Sequence, residues 1–256
     1  MAPARSRRMF LTDLGRSTAG LVVVGLGLSA CDHAGDPTAV RPEGLTPAAD
    51  IPSGPRSPSE VGDGLPVGTV DLGFVAAYVV QRDGQAVVID TGVADSEQAI
   101  LDVLSSMGLA WSDVSDVVLT HSHPDHAGSL SAVADAAPDA TMWGGEDDIP
   151  QMQAPRQIQV LADGDMVMDL RTIATPGHTP GHLSMFHPGT GTLFSGDALN
   201  GRDGTVIGPN PDFTPDMTKA MASVATLAVL EPATIHVCHG FPVSSGAADL
   251  TALAAT

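Results

Sequence analysis

From Leu65 onward, short runs of β-branched residues alternate with segments of helical periodicity. Val67 to Val70, Phe74 to Val80 and Ala86 to Ile89 predict three successive strands, with Asp83-Gly84 supplying hairpin-turn chemistry between the last two. Ala99, Ile100, Val103, Leu104 and Met107 then recur on one helical face, and Gly108 stops that helix. Val117 to Leu119 reads as a short buried strand, and Leu130 to Ala137 as the helix behind it. Further strands are predicted at Ala140 to Trp143, Gln157 to Leu161, Arg171 to Ala174, His182 to Phe186, Thr192 to Ser195 and Thr234 to Val237. Before the last of these, Thr214-Pro215-Asp216 offers an N-cap, a first-turn Pro and an acid. Met217, Ala220, Met221, Val224, Leu227 and Ala228 mark the apolar face that follows. Many strands with few helices, and no regular βαβ alternation, predict an α+β fold of sheets stacked under helices rather than a doubly wound sheet.

The pattern changes before Leu65. Arg5, Arg7 and Arg8 precede an apolar stretch from Gly20 to Leu28, which is too short for the roughly 20 residues of a membrane span and reads as a targeting segment. Ser6 to Leu11 resembles a twin-arginine export signal, and Leu28-Ser29-Ala30-Cys31 resembles a bacterial lipobox. These resemblances imply export by the twin-arginine route and a lipidated Cys31 that anchors the protein outside the cytoplasm. Residues 31–64 carry Pro37, Pro42, Pro47, Pro52, Pro55 and Pro58 among small and polar residues, the composition of a flexible tether. The expected organisation is a leader over 1–30, a tether over 31–64 and a folded domain over 65–256.

Composition narrows the partners. The chain of 256 residues has 11 basic against 30 acidic side chains, a net charge of −19, and only 4% aromatic residues. That charge opposes phosphate neutralisation, so nucleic acid is not an expected partner, and anionic headgroups would repel the body, leaving lipid as the means of membrane contact. The oligomeric state is not legible. Cys31 and Cys238 form neither a disulfide framework nor a CxxC zinc pattern. Nine histidines in so acidic a chain are the unusual feature.

His121-Ser122-His123-Pro124-Asp125-His126 places four potential metal ligands in six residues directly after a strand. In an extended segment His121 and His123 project to the same side and can reach one ion, while Pro124 bends the path so that Asp125 and His126 face a second position. Imidazole with carboxylate suits zinc, with iron or manganese also possible. His178, Asp197 and His239 stand near Gly and Pro at strand ends or loops, where backbone approaches a site closely.

With these residues in view, the chain resembles a metallo-β-lactamase-fold hydrolase of the glyoxalase-II-like branch. The resemblance is carried by Ile89-Asp90-Thr91-Gly92, Leu119 to His126, Thr175 to His182, Ser195-Gly196-Asp197 and His239-Gly240, in order. It implies a four-layer αββα sandwich with the site at one edge of its two sheets. It also implies that His121, His123 and His178 hold one metal, that Asp125, His126 and His239 hold another, and that Asp197 bridges them. Two zinc ions would then supply a bridging hydroxide, oriented by Asp125 as the catalytic residue, for attack on a small-molecule ester, lactone, thioester or amide. Asp90 is read as steadying a ligand histidine from behind. His182 reads equally as such a support or as a packed or surface histidine; Cys238 reads as a buried apolar residue, and His33, His187, His236 and Ser195 as having no part in the site.

Departures from the relatives limit the substrate. Glyoxalase II proper carries a C-terminal helical domain that holds glutathione, whereas this chain ends soon after His239 and Lys219 is its sole lysine. The alternatives kept open are a mononuclear-iron oxidoreductase of the persulfide dioxygenase kind and a non-catalytic metal-binding lipoprotein.

Overall fold

In a computed structural model of the protein the described residues are 64–243 and 246–255. The expected leader, Cys31 and the tether up to residue 63 lie outside them. Among the described residues no helix is long and apolar enough to cross a membrane.

The first sheet contains β1 (Val67–Asp71), β2 (Ala76–Arg82), β3 (Gln85–Ile89), β4 (Val114–Val118), β5 (Thr141–Gly144) and β6 (Gln159–Val160), in that spatial order. β1, β2 and β3 form an antiparallel meander, turned by Asp83 and Gly84, both at positive φ. From β3 to β6 the neighbours run parallel. The chain therefore crosses over between them, through α1 (Glu97–Ser106) and then through the single turn α2 (Pro124–Ala127) and α3 (Leu130–Ala136). The second sheet is formed by β7 (Met166–Val167), β8 (Leu170–Ala174), β9 (Leu183–His187), β10 (Thr192–Phe194) and β13 (Thr234–His236). A separate hairpin, β11 (Asn200–Arg202) and β12 (Thr205–Ile207), is followed by α4 (Met217–Val229), and α5 (Ala247–Ala254) comes last.

Three apolar clusters show how the layers stack. Period-two alternation sends Ala77 and Val79 of β2 to one face of the first sheet, against Ile100 and Leu104 of α1 and Leu130 and Val133 of α3. Their neighbours Ala76, Tyr78 and Val80 face the opposite way, packing with Ile89 and Val118 against Leu170, Leu183, Met185 and Phe194 of the second sheet. Phe186 and Leu193, pointing outward from the second sheet, close on Val224 and Leu227 of α4 and Leu250 of α5. The order is helix, sheet, sheet, helix, the αββα sandwich that the resemblance implied. Each large side chain sealed in these clusters contributes roughly 1.5–3 kcal/mol on burial.

Several local expectations shift. The helix expected to be capped at Thr214 begins at Met217, because Asp216 accepts from the Lys219 N–H at 3.0 Å and serves as the cap. Thr214 is instead buried with its Oγ1 3.3 Å from Nδ1 of His178. The strand expected over Gln157 to Leu161 shrinks to Gln159–Val160, since its ladder with β5 spans only Trp143 and Gly144. β7, the β11–β12 hairpin and α5 had no counterpart in the sequence expectations.

Candidate metal centre

The ligand candidates come from the ends of strands in both sheets. β4 runs into Thr120 to His123, and Pro124 opens α2 immediately after His123, so His121 and His123 leave an extended segment while Asp125 and His126 sit on a helical turn. β8 leads into the loop bearing His178, β10 into the turn bearing Asp197, and β13 into His239.

These side chains converge. Nε2 of His121 and Nε2 of His178 lie 3.0 and 2.9 Å from Nδ1 of His123. Nε2 of His126 lies 3.3 Å from Nε2 of His239 and 3.8 Å from Oδ2 of Asp125, which is itself 3.4 Å from Nε2 of His239. Asp197 stands between the two groups, with Oδ1 3.3 Å from His126 and Oδ2 3.3 Å from His178 and 3.4 Å from His239. A tetrahedral ion with bonds of about 2.0–2.1 Å has ligand-to-ligand edges of about 3.3–3.4 Å. The donor spacing is therefore that of a coordination shell.

The far nitrogen of four of these rings is already occupied. His126 Nδ1 faces Oδ2 of Asp90 at 2.8 Å, His239 Nδ1 donates to the Phe74 carbonyl at 2.8 Å, and His121 Nδ1 lies 3.1 Å from Thr120 Oγ1. Thr120 Oγ1 in turn donates to Asp90 at 2.8 Å, so it accepts from His121. With Thr214 behind His178, each of these four rings has a partner for its N–H at Nδ1 and turns inward an Nε2 that offers a lone pair when the ring is neutral. Were all four rings neutral, their lone pairs would stand opposite one another and opposite Oδ1 of Asp197, which is buried without a well-aligned hydrogen bond among the described residues. A cation satisfies all of these atoms at once, so the donor set fits a metal.

The electrostatics divide the site in two. Burial, reinforced by His126, holds His121 well below the ordinary imidazole range, and burial with neighbouring histidines brings His178 down to about 4. Both rings are thereby neutral, the form that binding a metal would require. Burial works against a charge on His126, but Asp197 and Asp90 outweigh it and hold that ring well above the usual range. His239, despite its burial, is pushed up to about 10 by Asp125 and Asp197. Burial also disfavours the Asp197 carboxylate, yet His126, with His239 and His121, keeps it well below the usual carboxylate range. The cluster of carboxylates demands positive charge, which divalent ions would supply by displacing protons.

Residues 70–239 match the Metallo-beta-lactamase superfamily. The chain belongs to that superfamily. The uncharacterized protein YobT of Bacillus subtilis is 29% identical over 196 residues, covering 65% of this chain and 83% of YobT. A hydroxyacylglutathione hydrolase of Aeromonas hydrophila is 29% identical over 174 residues, covering 66% of this chain but only 62% of that enzyme's length. The crystal structure of TTHA1623 in a di-iron-bound form superposes with a TM-score of 0.56 at 27% identity, covering 71% of this chain and 92% of that one. This chain is thus a metallo-hydrolase of the metallo-β-lactamase superfamily, with a candidate His/Asp metal site.

Within this superfamily fold the remaining candidates separate. Asp90 backs His126 and also accepts from the Thr120 N–H at 2.7 Å. His182 is a support rather than a surface residue: it is buried, and its Nε2 accepts from the Asp197 N–H at 3.0 Å. Cys238 is buried, with Sγ 3.7 Å from Asp90 Oδ2, and burial pushes its thiol up to about 12, so it carries no thiolate. The buried Tyr78 hydroxyl donates to the Val237 carbonyl at 2.6 Å, tying β2 to the end of β13. Ser195 lies buried with its hydroxyl turned to the Gly196 and His236 carbonyls. The sequence reading missed Thr120 and Thr214 as partners of ligand rings and gave no role to Asp148, which stands in an acidic triplet that looks like solvated loop.

Proposed function

We propose that this protein is a dinuclear zinc hydrolase, its ions held by imidazole and carboxylate ligands, acting on a small-molecule ester, lactone, thioester or amide.

 In this reading His121, His123 and His178 hold one ion, Asp125, His126 and His239 hold the second, and Asp197 lies between them. The observation that carries it is the convergence of ring nitrogens and carboxylate oxygens at coordination-shell spacing, with the opposite nitrogens of His121, His126, His178 and His239 already engaged. A donor set of imidazole and carboxylate suits zinc and also admits iron or manganese, and the di-iron form of TTHA1623 keeps iron within the test.

When bound, such ions acidify a water to near neutrality and polarise a substrate carbonyl. The chain supplies the rest. Asp125 keeps 29% of its side chain exposed, so its carboxylate can accept a hydrogen bond from the attacking water and orient it. Asp90 and the Phe74 carbonyl fix the rings of His126 and His239, and Asp197 is held from below by His182. Export and a lipid anchor at Cys31 belong to the same proposal, supported by the leader and lipobox patterns.

Metal analysis of the purified protein tests this reading, together with a panel of thioester, lactone, β-lactam and phosphodiester substrates on wild type and His123→Ala. Two zinc ions per chain and hydrolysis that His123→Ala abolishes are expected. A single iron with no hydrolysis would favour the oxidoreductase, and bound metal with no turnover the binding protein.

A further inference from the structure

Asp148 is fully buried, yet its carboxylate touches no ligand candidate directly. It follows β5 in the turn Gly145 to Asp148, closed by the Asp148 N–H donating to the Gly145 carbonyl at 3.0 Å. Oδ2 accepts from the Ser122 N–H at 2.9 Å and from Thr179 Oγ1 at 2.7 Å, and Oδ1 accepts from the Gly181 N–H at 2.8 Å. Burying a carboxylate is costly unless donors replace its water, and these three donors do so.

The donors belong to two loops far apart in sequence. Ser122 lies between His121 and His123, and Thr179 follows His178. One carboxylate thus ties together the segments that carry all three histidines of one metal position. The backbone is shaped for this contact. A Cβ on Gly181 would fall 2.6 Å from the Asp148 nitrogen and 2.9 Å from its Oδ1, and a Cβ on Gly145 would fall 1.9 Å from the Gly181 carbonyl oxygen. Asp90 does comparable work on the other side, through His126 and Thr120.

We propose that Asp148 is a positioning residue for the His121/His123/His178 position, locking two ligand loops in register through Ser122, Thr179 and Gly181. The inference rests on the metal reading above. It predicts a selective effect: loosening Asp148 weakens that position and spares the one built from Asp125, His126 and His239.

The test titrates metal-free, full-length wild type, Asp148→Asn and Thr179→Val with Co(II), following the visible absorption of each position and measuring affinities by chelator competition. Asparagine keeps the shape of the side chain but turns an N–H toward a donor. Two Co(II) ions are expected on wild type, with affinity 10–100-fold weaker at the three-histidine position of Asp148→Asn and changed by less than about twofold at the other. Wild type that binds no metal overturns the metal reading and the inference with it. Two ions on wild type, with folded Asp148→Asn binding both as tightly or losing both equally, overturn the inference alone. Should Asp148→Asn not fold, Thr179→Val removes one of the three donors and is expected to weaken the same position about 3–10-fold, in line with a partial loss of such support. Unchanged affinity in that variant overturns the inference.

Discussion

The backbone N–H of Asp197 donates to Nε2 of His182 at 3.0 Å, which places a buried neutral ring directly beneath the carboxylate that stands between the two halves of the site. Burial, reinforced by His178, lowers the pKa of His182 to about 3, so the ring stays neutral and able to accept. Its Nδ1 then donates to Thr175 Oγ1 at 2.8 Å, Thr175 reaches Ser184 Oγ at 3.0 Å, and Ser184 donates to the Ser195 carbonyl at 2.9 Å. This relay joins the loop of His178 to the turn of Asp197.

Replacing His182 by Leu leaves the Asp197 N–H buried without an acceptor, at a cost of about 1–3 kcal/mol. At about 2–4 °C per kcal/mol for a domain of this size, the melting temperature of the metal-free protein should fall by about 2–12 °C. His182→Gln restores an acceptor and should recover most of the loss. Thermal unfolding of both variants checks this, and equal losses would show that the hydrogen bond to Asp197 is not what His182 contributes.

The contrast between His182 and Asp148 shows what the sequence could and could not reveal. His121 to His126 are legible because four candidate ligands fall within six residues, and the unbroken apolar run Phe74 to Val80 announces a strand buried on both faces. Asp148 is hidden because burial singles it out from Glu146 and Asp147, both exposed, only after the 177–182 loop has packed against the turn. Thr214 misled for a related reason. Its hydroxyl meets His178, so the capping falls to Asp216, a choice made by tertiary contact and not by local propensity. The β11–β12 strands are three residues each, too short for alternation to stand out.

Gly177 has φ of +132°, and a Cβ there would lie 2.2 Å from the Ala220 nitrogen and 2.5 Å from its Cα. The loop before His178 is thus packed backbone to backbone on the first turn of α4, helped by Ser223 Oγ donating to the Pro176 carbonyl at 2.8 Å. Gly177→Ala must move either the loop or the helix, and backbone strain alone costs about 1–3 kcal/mol. A fall in melting temperature of about 2–12 °C is expected, together with weaker metal binding. A variant that melts and binds metal like wild type would mean the loop is free to move.

Cys31 tests the proposed address separately from the site. If it bears the lipid, the protein partitions with membranes through that anchor, because its acidic body has no electrostatic attraction to anionic headgroups. Cys31→Ser should move the protein from the membrane to the soluble fraction while leaving metal content unchanged. Fractionation identical to wild type would refute the anchor.

His236 should make stability depend on pH. Its ring stacks on Phe194 with centroids 4.9 Å apart and planes 12° apart, and lies 5.0 Å from the Tyr78 ring. Burial pushes its pKa down to about 4, against about 6.5 in an unfolded chain. Above the unfolded value both states are neutral and the group's contribution is fully present. As pH falls below it the unfolded state binds a proton that the native state refuses, so stability is lost until the folded pKa is reached, and then levels off. One such proton gives a slope of up to about 1.4 kcal/mol per pH unit. His236→Phe keeps an aromatic ring against Phe194 and removes the titration. Denaturant unfolding of metal-free wild type and variant between pH 7.5 and 4, conditions chosen to bracket the roughly 6.5-to-4 window, should show the variant gaining on wild type as acid is added. Curves that stay parallel across that window would show that His236 takes up its proton in the folded protein as readily as in the unfolded one.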